Sequence, residues 1–526
     1  MTGACMRLLT ISDIKLSLGK DESALYTIAA KRLGTKPAYL KIRKKSLDAR
    51  DKENIRFVYT IECSATPIAK EQETPERLPV RCTPKQTVLV VGSGPAGLFC
   101  ALRLLERGIA PLLIERGAPV DERERAISVF CDTRVLDVES NVQFGEGGAG
   151  TFSDGKLNTQ THSGLNAQVL ETFVRFGAPE EILWLSKPHI GSDHLKSVVK
   201  NMREYLLKKG ARVLFHTRLD DLDIQNGTLC GATLKNVKTG ESEKIPVSAV
   251  ILAVGHSARD TFERLLARGV CMQQKDFAVG VRIEHLQAKI GFAQYGKAYT
   301  KLPSADYKLV SHAGERAAFT FCMCPGGYVM PAASELGGVV TNGMSNYARD
   351  GENANAALIA QVSAADFAND TPLAGVYFQR KLEQAAYRAG GNTYAAPVQR
   401  VEDFLRGKCS SAFGEVLPTY AAGTAFADIG EILPKGVTQT LQAALTDMGK
   451  KLKGFDHPDA LLTGVETRTS SPVRILRTQD SLQSVNVARL FPCGEGAGYA
   501  GGITSSAADG LRVADAVYRF FMQSHT

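Results

Sequence analysis

Three glycines, Gly92, Gly94 and Gly97, stand at the spacing GxGxxG between an apolar run and a helix-like segment. In such a unit the first glycine permits a sharp turn, the second lets a pyrophosphate approach the backbone, and the third lets the helix pack on the sheet. The helix N-terminus adds free N–H groups and about half a positive charge. The pattern predicts a dinucleotide site that includes Pro95 and Ala96. A tight strand–helix turn without a ligand is the alternative.

An acidic residue ends the second apolar strand, Pro111–Ile114. This residue, Glu115, lies close to the offset at which a carboxylate bonds a ribose hydroxyl. We predict that Glu115 and its neighbour Arg116 lie at the cofactor. A carboxylate here disfavours a 2′-phosphate, so FAD or NAD fits and NADP does not.

A second glycine cluster covers Phe144–Leu157, with no strand before it. A backbone this free of side chains can wrap a flat or anionic ligand. We predict that Gly147, Gly148 and Ser153 contact the cofactor and that Lys156 supplies a polar or catalytic group. The alternative is a flexible surface loop.

A third glycine cluster, Phe491–Gly510, again has the order strand, turn and helix. Its helix would direct a positive end toward a flavin edge where reduction develops negative charge. A second nucleotide site and a purely structural turn are the alternatives. The residues predicted to contact the cofactor are Gly494, Glu495, Gly501, Gly502 and Ile503.

Catalytic candidates come from two further places in the chain. The segment Glu466–Pro472 contains Arg468, which could bind a substrate carboxylate or an anionic flavin, or form an ion pair between domains. The strand Ala249–Val254 leads into Gly255, predicted to contact the cofactor, and His256. This histidine could transfer protons near neutral pH or simply bond local backbone.

The eleven cysteines are scattered and include no CxxC pair, so we expect reduced thiols and no metal site. No CxxxxC pair lies beside the first glycine motif, which argues against a disulfide next to the flavin. Cys322 and Cys324 form the one close pair. They could face a single ligand, but ordinary strand cysteines are favoured because neighbours on one face are awkward to bridge. Cys493 could lie near a flavin or fill core space.

A chain of 526 residues with 44% hydrophobic and 22% charged residues is expected to fold into two to four soluble domains. Neither a signal peptide nor a spanning segment is recognisable, so we expect a cytoplasmic protein without membrane contact. The net charge of +8 is uneven, because residues 1–86 carry 17 Lys and Arg against 10 Asp and Glu. Lys31–Lys52 is strongly basic. A solvated face explains this better than RNA binding.

The hydrophobic pattern predicts an α/β protein whose Rossmann-like FAD-type domain combines a parallel sheet with a β-meander. An α+β substrate or cap domain is inserted into it, and a small basic α/β module precedes it. The predicted domains are residues 1–82, 83–276, 277–462 and 463–526, with a linker at Ala69–Pro84. Within the insert, helices are predicted at Ala354–Val362 and Val437–Leu452.

Several motifs together resemble a poorly characterised family of FAD-dependent dehydrogenases or oxidoreductases. They include VGSGPAGLFCALRL, NVQFGEGGAGTFSDGKLNT, FCMCPGGYVMPAASE and FPCGEGAGYAGGI, and they span most of residues 87–510. The resemblance places the chain in the glutathione-reductase-like superfamily. It implies that Ile251–Gly255 passes under FAD and that an acid after the last strand binds the ribityl chain. Here that acid is Glu495, where many relatives carry Asp.

These expectations combine into an FAD-dependent oxidoreductase that transfers hydride between flavin N5 and an unidentified small molecule. NAD(P)H is a possible transient reductant. An RNA-directed flavoprotein and a non-catalytic FAD redox sensor are the alternatives. The sequence predicts no oligomeric state.

Overall fold

The computed structural model describes residues 8–68, 87–159 and 163–523. The elements of the first part of the chain are β1 (Leu9–Ser17), α1 (Ala24–Leu33), β2 (Tyr39–Asp48), β3 (Arg56–Ser64), β4 (Val88–Val91), α2 (Pro95–Glu106), β5 (Leu112–Ile114), α3 (Val120–Thr133), α4 (Leu165–Arg175), α5 (Ser192–Lys208), β6 (Arg212–Leu214), β7 (Thr217–Gln225), β8 (Thr228–Asn236), β9 (Ser242–Pro246), β10 (Ala249–Leu252), α6 (Arg259–Ala267) and β11 (Met272–Gln274).

The elements of the second part are β12 (Phe277–Leu286), α7 (Gln287–Tyr295), β13 (Val310–Ser311), β14 (Ala318–Cys324), β15 (Tyr328–Pro331), β16 (Thr341–Met344), β17 (Asn353–Val362), α8 (Ala374–Ala389), β18 (Ala396–Arg400), α9 (Val401–Arg406), β19 (Thr424–Phe426), α10 (Ile429–Ile432), α11 (Lys435–Lys451), β20 (Leu461–Glu466), β21 (Val473–Ile475), β22 (Leu490–Pro492) and α12 (Ile503–Gln523).

The N-terminal unit is a three-stranded antiparallel sheet in the order β1-β3-β2, covered by α1. The basic segment predicted from the sequence contains β2, a strand that we did not predict. Some of its charge is compensated inside the unit, because Arg43 pairs with Glu62 and Lys45 pairs with Glu22. The predicted linker Ala69–Pro84 lies outside the described residues.

A five-stranded parallel sheet in the order β22-β10-β4-β5-β6 forms the centre of the second unit. Its strands are short, and β22, β10, β4 and β5 are apolar and buried because α2, α5 and α12 pack on the sheet, whereas the edge strand β6 is partly exposed. The antiparallel meander β7-β8-β9 adjoins it, with a turn at Asn226-Gly227 between β7 and β8. The α/β fold with a Rossmann-like parallel sheet and a meander is therefore confirmed. β22, from the end of the chain, pairs with β10.

The residues between β11 and β21 build a second sheet of seven strands in the order β13-β14-β17-β12-β20-β18-β19. Helices α8 and α11 cover its apolar core. The helix predicted at Ala354–Val362 is wrong, because these residues form β17, which pairs with both β12 and β14. A central strand that is buried on both faces shows no alternation, and its alanines favour helix only by intrinsic propensity. The helix predicted at Val437–Leu452 is confirmed as α11.

Within the described ranges, no helix combines the length and the apolar character that crossing a membrane requires.

Candidate functional site

Two glycines of the first motif are explained by packing within the protein. Gly92 has φ +98°, and a Cβ atom there would lie 2.4 Å from the carbonyl oxygen of Ala253. A Cβ atom on Gly97 would lie 1.8 Å from the carbonyl oxygen of Gly92. The turn between β4 and α2 therefore needs both glycines. Gly97 itself does not line the cavity described below.

The middle glycine of the motif is different. Gly94 precedes α2 with φ −69°, which any residue can adopt, and its missing Cβ would have Gly148 as its nearest neighbour at 3.8 Å. Nothing in the described protein therefore demands glycine here. Gly94, Pro95 and Ala96 line a cavity at the start of α2. The free space at the helix N-terminus is what a bound pyrophosphate requires.

Glu115 accepts four hydrogen bonds from two loops. One carboxylate oxygen accepts from the N–H and hydroxyl of Ser93, at 2.9 and 2.8 Å, and the other accepts from the N–H groups of Gly117 and Gly145, both at 3.0 Å. These bonds use about all the lone pairs of a carboxylate. Glu115 thus joins the two glycine loops at the edge of the cavity. A ribose hydroxyl would have to donate to a Glu115 oxygen that already accepts two hydrogen bonds. The contact between Glu115 and a ribose hydroxyl therefore stays a prediction.

Arg116 also lies on the cavity wall, and most of its donors are committed to the protein. It donates to Glu139 at 2.7 Å and binds both oxygens of Asp260, at 2.8 and 3.0 Å. Its guanidinium carbon lies 4.2 Å from the ring centre of Phe144. Arg116 therefore offers the cofactor a fixed flat surface rather than free hydrogen-bond donors.

A buried arginine organises the second glycine loop. Arg123 is fully buried on α3 and donates to the carbonyl oxygens of Asn141, Val142, Glu146 and Gly148, at 2.7 to 2.9 Å. A buried guanidinium is stable only where its donors find acceptors. The loop therefore has a defined shape and is not a flexible surface loop. We missed Arg123 because nothing local to α3 indicates a distant set of carbonyl partners.

The predicted residues of that loop separate into two groups. Gly148 and Ser153 line the cavity, and a Cβ on Gly148 would lie 3.0 Å from Gly94 Cα. Gly147 is not among the residues that line this cavity. A Cβ atom at Gly147 would lie 2.0 Å from the hydroxyl of Thr151, so the packing of the loop requires glycine there. Gly147 therefore serves the packing of the loop, and its contact with the cofactor stays a prediction.

The third glycine cluster brings the N-terminus of α12 to the cavity. Gly501 and Gly502 line it, and a Cβ on either residue would meet no protein atom closer than 4.0 Å. Ile503 begins α12 at the same wall. Gly494 is again a packing glycine, because its Cβ would lie 2.7 Å from the side chain of Ala96. The predicted cofactor contact of Gly494 is thus not supported.

Two more predicted residues complete the wall. Gly255 follows β10 with φ +74°, and no protein atom lies within 4 Å of the position for its Cβ. Glu495 borders the cavity, and burial raises the pKa of its carboxyl to about 7. Lys275 opposes that rise. Glu495 is therefore suited to donate or accept a hydrogen bond near neutral pH.

The cavity has a volume of about 340 Å³ and lies between the parallel sheet and the seven-stranded sheet. The insert and the chain that follows it contribute polar side chains, among them Asn342, Glu466 and Arg468, together with Phe321 and Cys322. All three glycine clusters and the catalytic candidates of the sequence thus meet at a single cavity.

His256 lies on this cavity but is unsuited to proton transfer at neutral pH. Its Nε2 donates to the carbonyl oxygen of Arg468 at 2.8 Å, and its Nδ1 lies 3.3 Å from the hydroxyl of Ser257. Burial and the charge of Arg468 lower its pKa to about 4. The structure therefore favours the alternative in which His256 bonds nearby backbone.

Arg468 lines the cavity, yet its charge is already paired. It binds both oxygens of Glu383, at 3.0 and 2.8 Å, and donates to the hydroxyl of Ser334. Arg259 binds the same carboxylate, at 2.7 and 2.9 Å. Glu383 lies on α8 of the insert and Arg259 on α6, so this cluster joins the two units. The ion-pair alternative for Arg468 is therefore favoured over binding of a substrate carboxylate.

Lys156 keeps its charge available to the cavity. Among the described residues its Nζ has no hydrogen-bond partner, and Asp154 Oδ2 lies 3.6 Å away. That carboxylate is buried and already bound by Arg349 through both oxygens. Lys156 is therefore a buried positive charge at the cavity wall, and it shares the Asp154 carboxylate with Arg349.

Glu466 is the functional candidate that sequence reasoning did not select, although it begins the segment chosen for Arg468. Its side chain is 5% exposed, and Arg282 lies 3.4 Å from Oε1. Within the described part of the chain, Oε2 makes no hydrogen bond of regular geometry, although the hydroxyl of Thr341 lies close enough to act on the carboxyl group. Burial raises the pKa of Glu466 to about 7. A carboxyl group that titrates near neutral pH inside a cavity is suited to acid–base chemistry.

Comparison with known proteins agrees with this geometry. Residues 85–142 match a family described as FAD binding domain, and residues 276–469 match one described as FAD-dependent protein, C-terminal domain-like. Residues 9–64 match a domain of unknown function. The chain is thus a flavoprotein with FAD as its cofactor.

A Clostridium beijerinckii protein described only as uncharacterized is 42% identical over 534 residues, which is 98% of this chain and 99% of that protein. The chain belongs to the family of this clostridial protein. Solved structures are more distant. A geranylgeranyl bacteriochlorophyll reductase-like protein of Thermoplasma acidophilum is 12% identical, with a TM-score of 0.37 and coverage of 84% of this chain and 80% of that one. The glycerol-3-phosphate dehydrogenase of Bacillus halodurans is 12% identical, with a TM-score of 0.35 and coverage of 84% and 66%.

Replacing Gly94 by valine should abolish FAD retention without unfolding the protein. The backbone at Gly94 accepts any residue, but a branched side chain would enter the space at the N-terminus of α2. We expect colourless Gly94→Val protein with a thermal transition like that of FAD-free wild type. FAD released on denaturation measures retention. Gly164→Val is the matched control, because Gly164 has open surroundings away from the cavity. Full FAD content in Gly94→Val would show that the motif does not hold the pyrophosphate.

Replacing Glu383 by glutamine should destabilise the protein by about 3–5 kcal/mol, because two buried arginines lose their shared counter-charge. Denaturant unfolding monitored by circular dichroism measures this loss. In the control Glu263→Gln, the acid is exposed and pairs only with Arg380 at 3.3 Å. That variant should lose less than about 1 kcal/mol. Equal losses in the two variants would contradict the role assigned to the buried cluster.

Proposed function

We propose that the protein is an FAD-dependent oxidoreductase in which hydride passes between flavin N5 and a small molecule held in the cavity. We further propose that it belongs to the glutathione-reductase-like superfamily. The support is that its strand, glycine turn, helix and terminal acid resemble the dinucleotide-binding unit of that superfamily. The observation that carries the proposal is one juxtaposition. Glu466, whose Oε2 makes no regular hydrogen bond among the described residues, borders the same cavity as Gly94 and Gly501, where the described protein leaves space at the glycine backbone.

The backbone at Gly94, Gly148 and Gly501 would hold FAD in this cavity. FAD supplies the hydride chemistry when bound. The N-terminus of α12 contributes a fixed positive potential, which favours the negative charge of reduced flavin. Since α12 is part of the folded core, this potential needs no rearrangement during the reaction.

Glu466 and Lys156 are assigned to the substrate. Glu466 moves a proton to or from a substrate oxygen or nitrogen atom, because its pKa of about 7 makes both forms accessible. Lys156 binds an electronegative atom of the same molecule, since its ammonium group has no hydrogen-bond partner among the described residues. Together they favour a polar substrate that carries a carbonyl, hydroxyl or carboxylate group.

An anaerobic screen tests the proposed activity. Purified FAD-bound protein is mixed with NADH, NADPH and a panel of hydroxy acids, amino acids and alcohols, and bleaching of the flavin absorbance is followed. We expect one class to reduce the flavin and an acceptor to restore its colour, with NAD(P)H acting as a transient donor. A protein that binds FAD but turns over with no donor and acceptor pair would support the sensor alternative instead.

Replacing Glu466 by glutamine should lower kcat by about 100-fold, because positioned acid–base groups contribute about that much or more. The wild-type rate should change around pH 7, and this change should vanish in Glu466→Gln. If the substrate is reduced, the protonated form is needed and the rate falls above pH 7. If it is oxidised, the carboxylate is needed and the rate falls below pH 7. Glu263→Gln is the exposed control, expected to keep the wild-type profile. The same pH dependence in Glu466→Gln and wild type would contradict the assignment.

A further inference from the structure

The two cysteines of β14 do not sit in a regular strand. The ladder pairs Phe321 with Ala357 but Cys324 with Asn355, so β14 contains one extra residue there. Cys322 adopts the left-handed conformation, with φ 43°. This irregularity removes the regular pleat on which the expectation of two ordinary strand cysteines rested.

The bulge brings the two sulfur-bearing side chains together. The thiol of Cys324 donates to the carbonyl oxygen of Cys322 at 3.2 Å, and the two side chains are close enough to influence each other's pKa. Cys322 is half-buried and lines the cavity, whereas Cys324 is buried behind it. One thiol therefore faces the ligand space, and the other is positioned to pair with it.

Positive charge surrounds this pair. Arg282 is fully buried and donates to the carbonyl oxygen of Cys322 at 2.9 Å, while its Nη2 lies 3.7 Å from Cys324 Sγ. The hydrogen bond from Cys324, helped by the charges of Lys156 and Arg282, lowers the pKa of the Cys322 thiol. The thiolate is the reactive form of cysteine, so Cys322 is the nucleophilic member of the pair.

Glu466 is an independent sign that this end of the cavity is built for a ligand. Its side chain is 95% buried, borders the cavity and has an oxygen without a partner among the described residues. Glu466 and Cys322 line the same cavity. An unpaired buried carboxyl oxygen is costly unless a ligand or a proton satisfies it.

We propose that Cys322 and Cys324 are a redox-active pair that exchanges two electrons with FAD in this cavity. The inference rests on the proposed function, because it requires FAD to lie there. As the S–S bond forms, the Cys322 thiolate and the Cys324 thiol together lose two electrons and one proton. Oxidised FAD accepts both electrons and that proton and becomes the anionic reduced flavin. In the reverse direction, reduced flavin opens the disulfide. The pair extends the class of substrates to thiols and disulfides.

An anaerobic reductive titration tests the proposed cysteine pair. The FAD-bound protein is first oxidised with ferricyanide and then titrated with dithionite. Wild type should take up four electrons per FAD, whereas Cys322→Ser and Cys324→Ser should take up two. Cys409→Ser is the matched control, because Cys409 is exposed and does not line the cavity. It should take up four electrons.

Peptide mapping of wild type gives a readout that is independent of turnover. Thiols are alkylated under denaturing conditions before and after reduction. In the oxidised protein, the peptide containing Cys322-Met323-Cys324 should carry no label and be two hydrogens lighter. After dithionite it should carry two labels. This measurement needs no variant, so it decides the question even if a serine variant fails to fold.

The outcomes separate the two proposals. Yellow protein that takes up two electrons and has both cysteines labelled in its oxidised form overturns the cysteine pair and leaves the proposed oxidoreductase intact. Colourless protein without FAD overturns the proposed function, and the electron exchange with it. Four-electron uptake with a protected peptide supports both.

Discussion

The carboxylate of Glu383 lies between the guanidinium groups of Arg259 and Arg468, and all three side chains are buried. The two arginines hold the pKa of Glu383 far below its usual range despite its burial. Such an arrangement is stable only while every member keeps its partners, because one uncompensated buried charge costs several kcal/mol. Glu383 comes from the insert and Arg259 from the unit of the parallel sheet. The ion pair between Glu383 and Arg259 therefore holds the two units together beside the cavity.

The position of the catalytic candidates follows from this cluster. Thr467 donates to Glu383 at 2.7 Å, and the carbonyl oxygen of Arg468 accepts from His256 at 2.8 Å. The chain from β20 onward is thereby fixed on both sides. Glu466, the last residue of β20, thus stays at the cavity, where its Oε2 makes no regular hydrogen bond with the described residues. His256 and Arg468, whose residue types suggest catalysis, are engaged in hydrogen bonds and ion pairs within the protein. Glu466 is the neighbouring group that keeps an oxygen without a regular hydrogen bond among the described residues.

Buried polar groups at the cavity differ in how completely they are satisfied. Arg123 finds a carbonyl oxygen for each of its three nitrogens, and Glu115 accepts four hydrogen bonds. Lys156 and Glu466 keep atoms without partners among the described residues. Satisfied groups stabilise loops, whereas unsatisfied ones lower stability and are retained where a ligand completes them. This difference distinguishes residues that stabilise the site, such as Arg123 and Glu115, from residues that are candidates for contact with a ligand, such as Lys156 and Glu466.

The sequence alone was enough to recognise the dinucleotide unit. Its strand, GxGxxG turn, helix and terminal acid follow one another within about thirty residues, so their order in the chain predicts their arrangement in space. Most of the site residues that it predicted line the cavity, including Gly94, Gly148 and Gly501. It misassigned β17, since an alanine-rich strand buried on both faces looks like a helix, and it could not separate packing glycines from ligand-facing ones. The tertiary structure alone decided that Gly147 and Gly494 serve packing and that Oε2 of Glu466 makes no regular hydrogen bond among the described residues. The reason is physical: burial, counter-charges and steric neighbours come from residues far apart in the chain, and no local pattern records them.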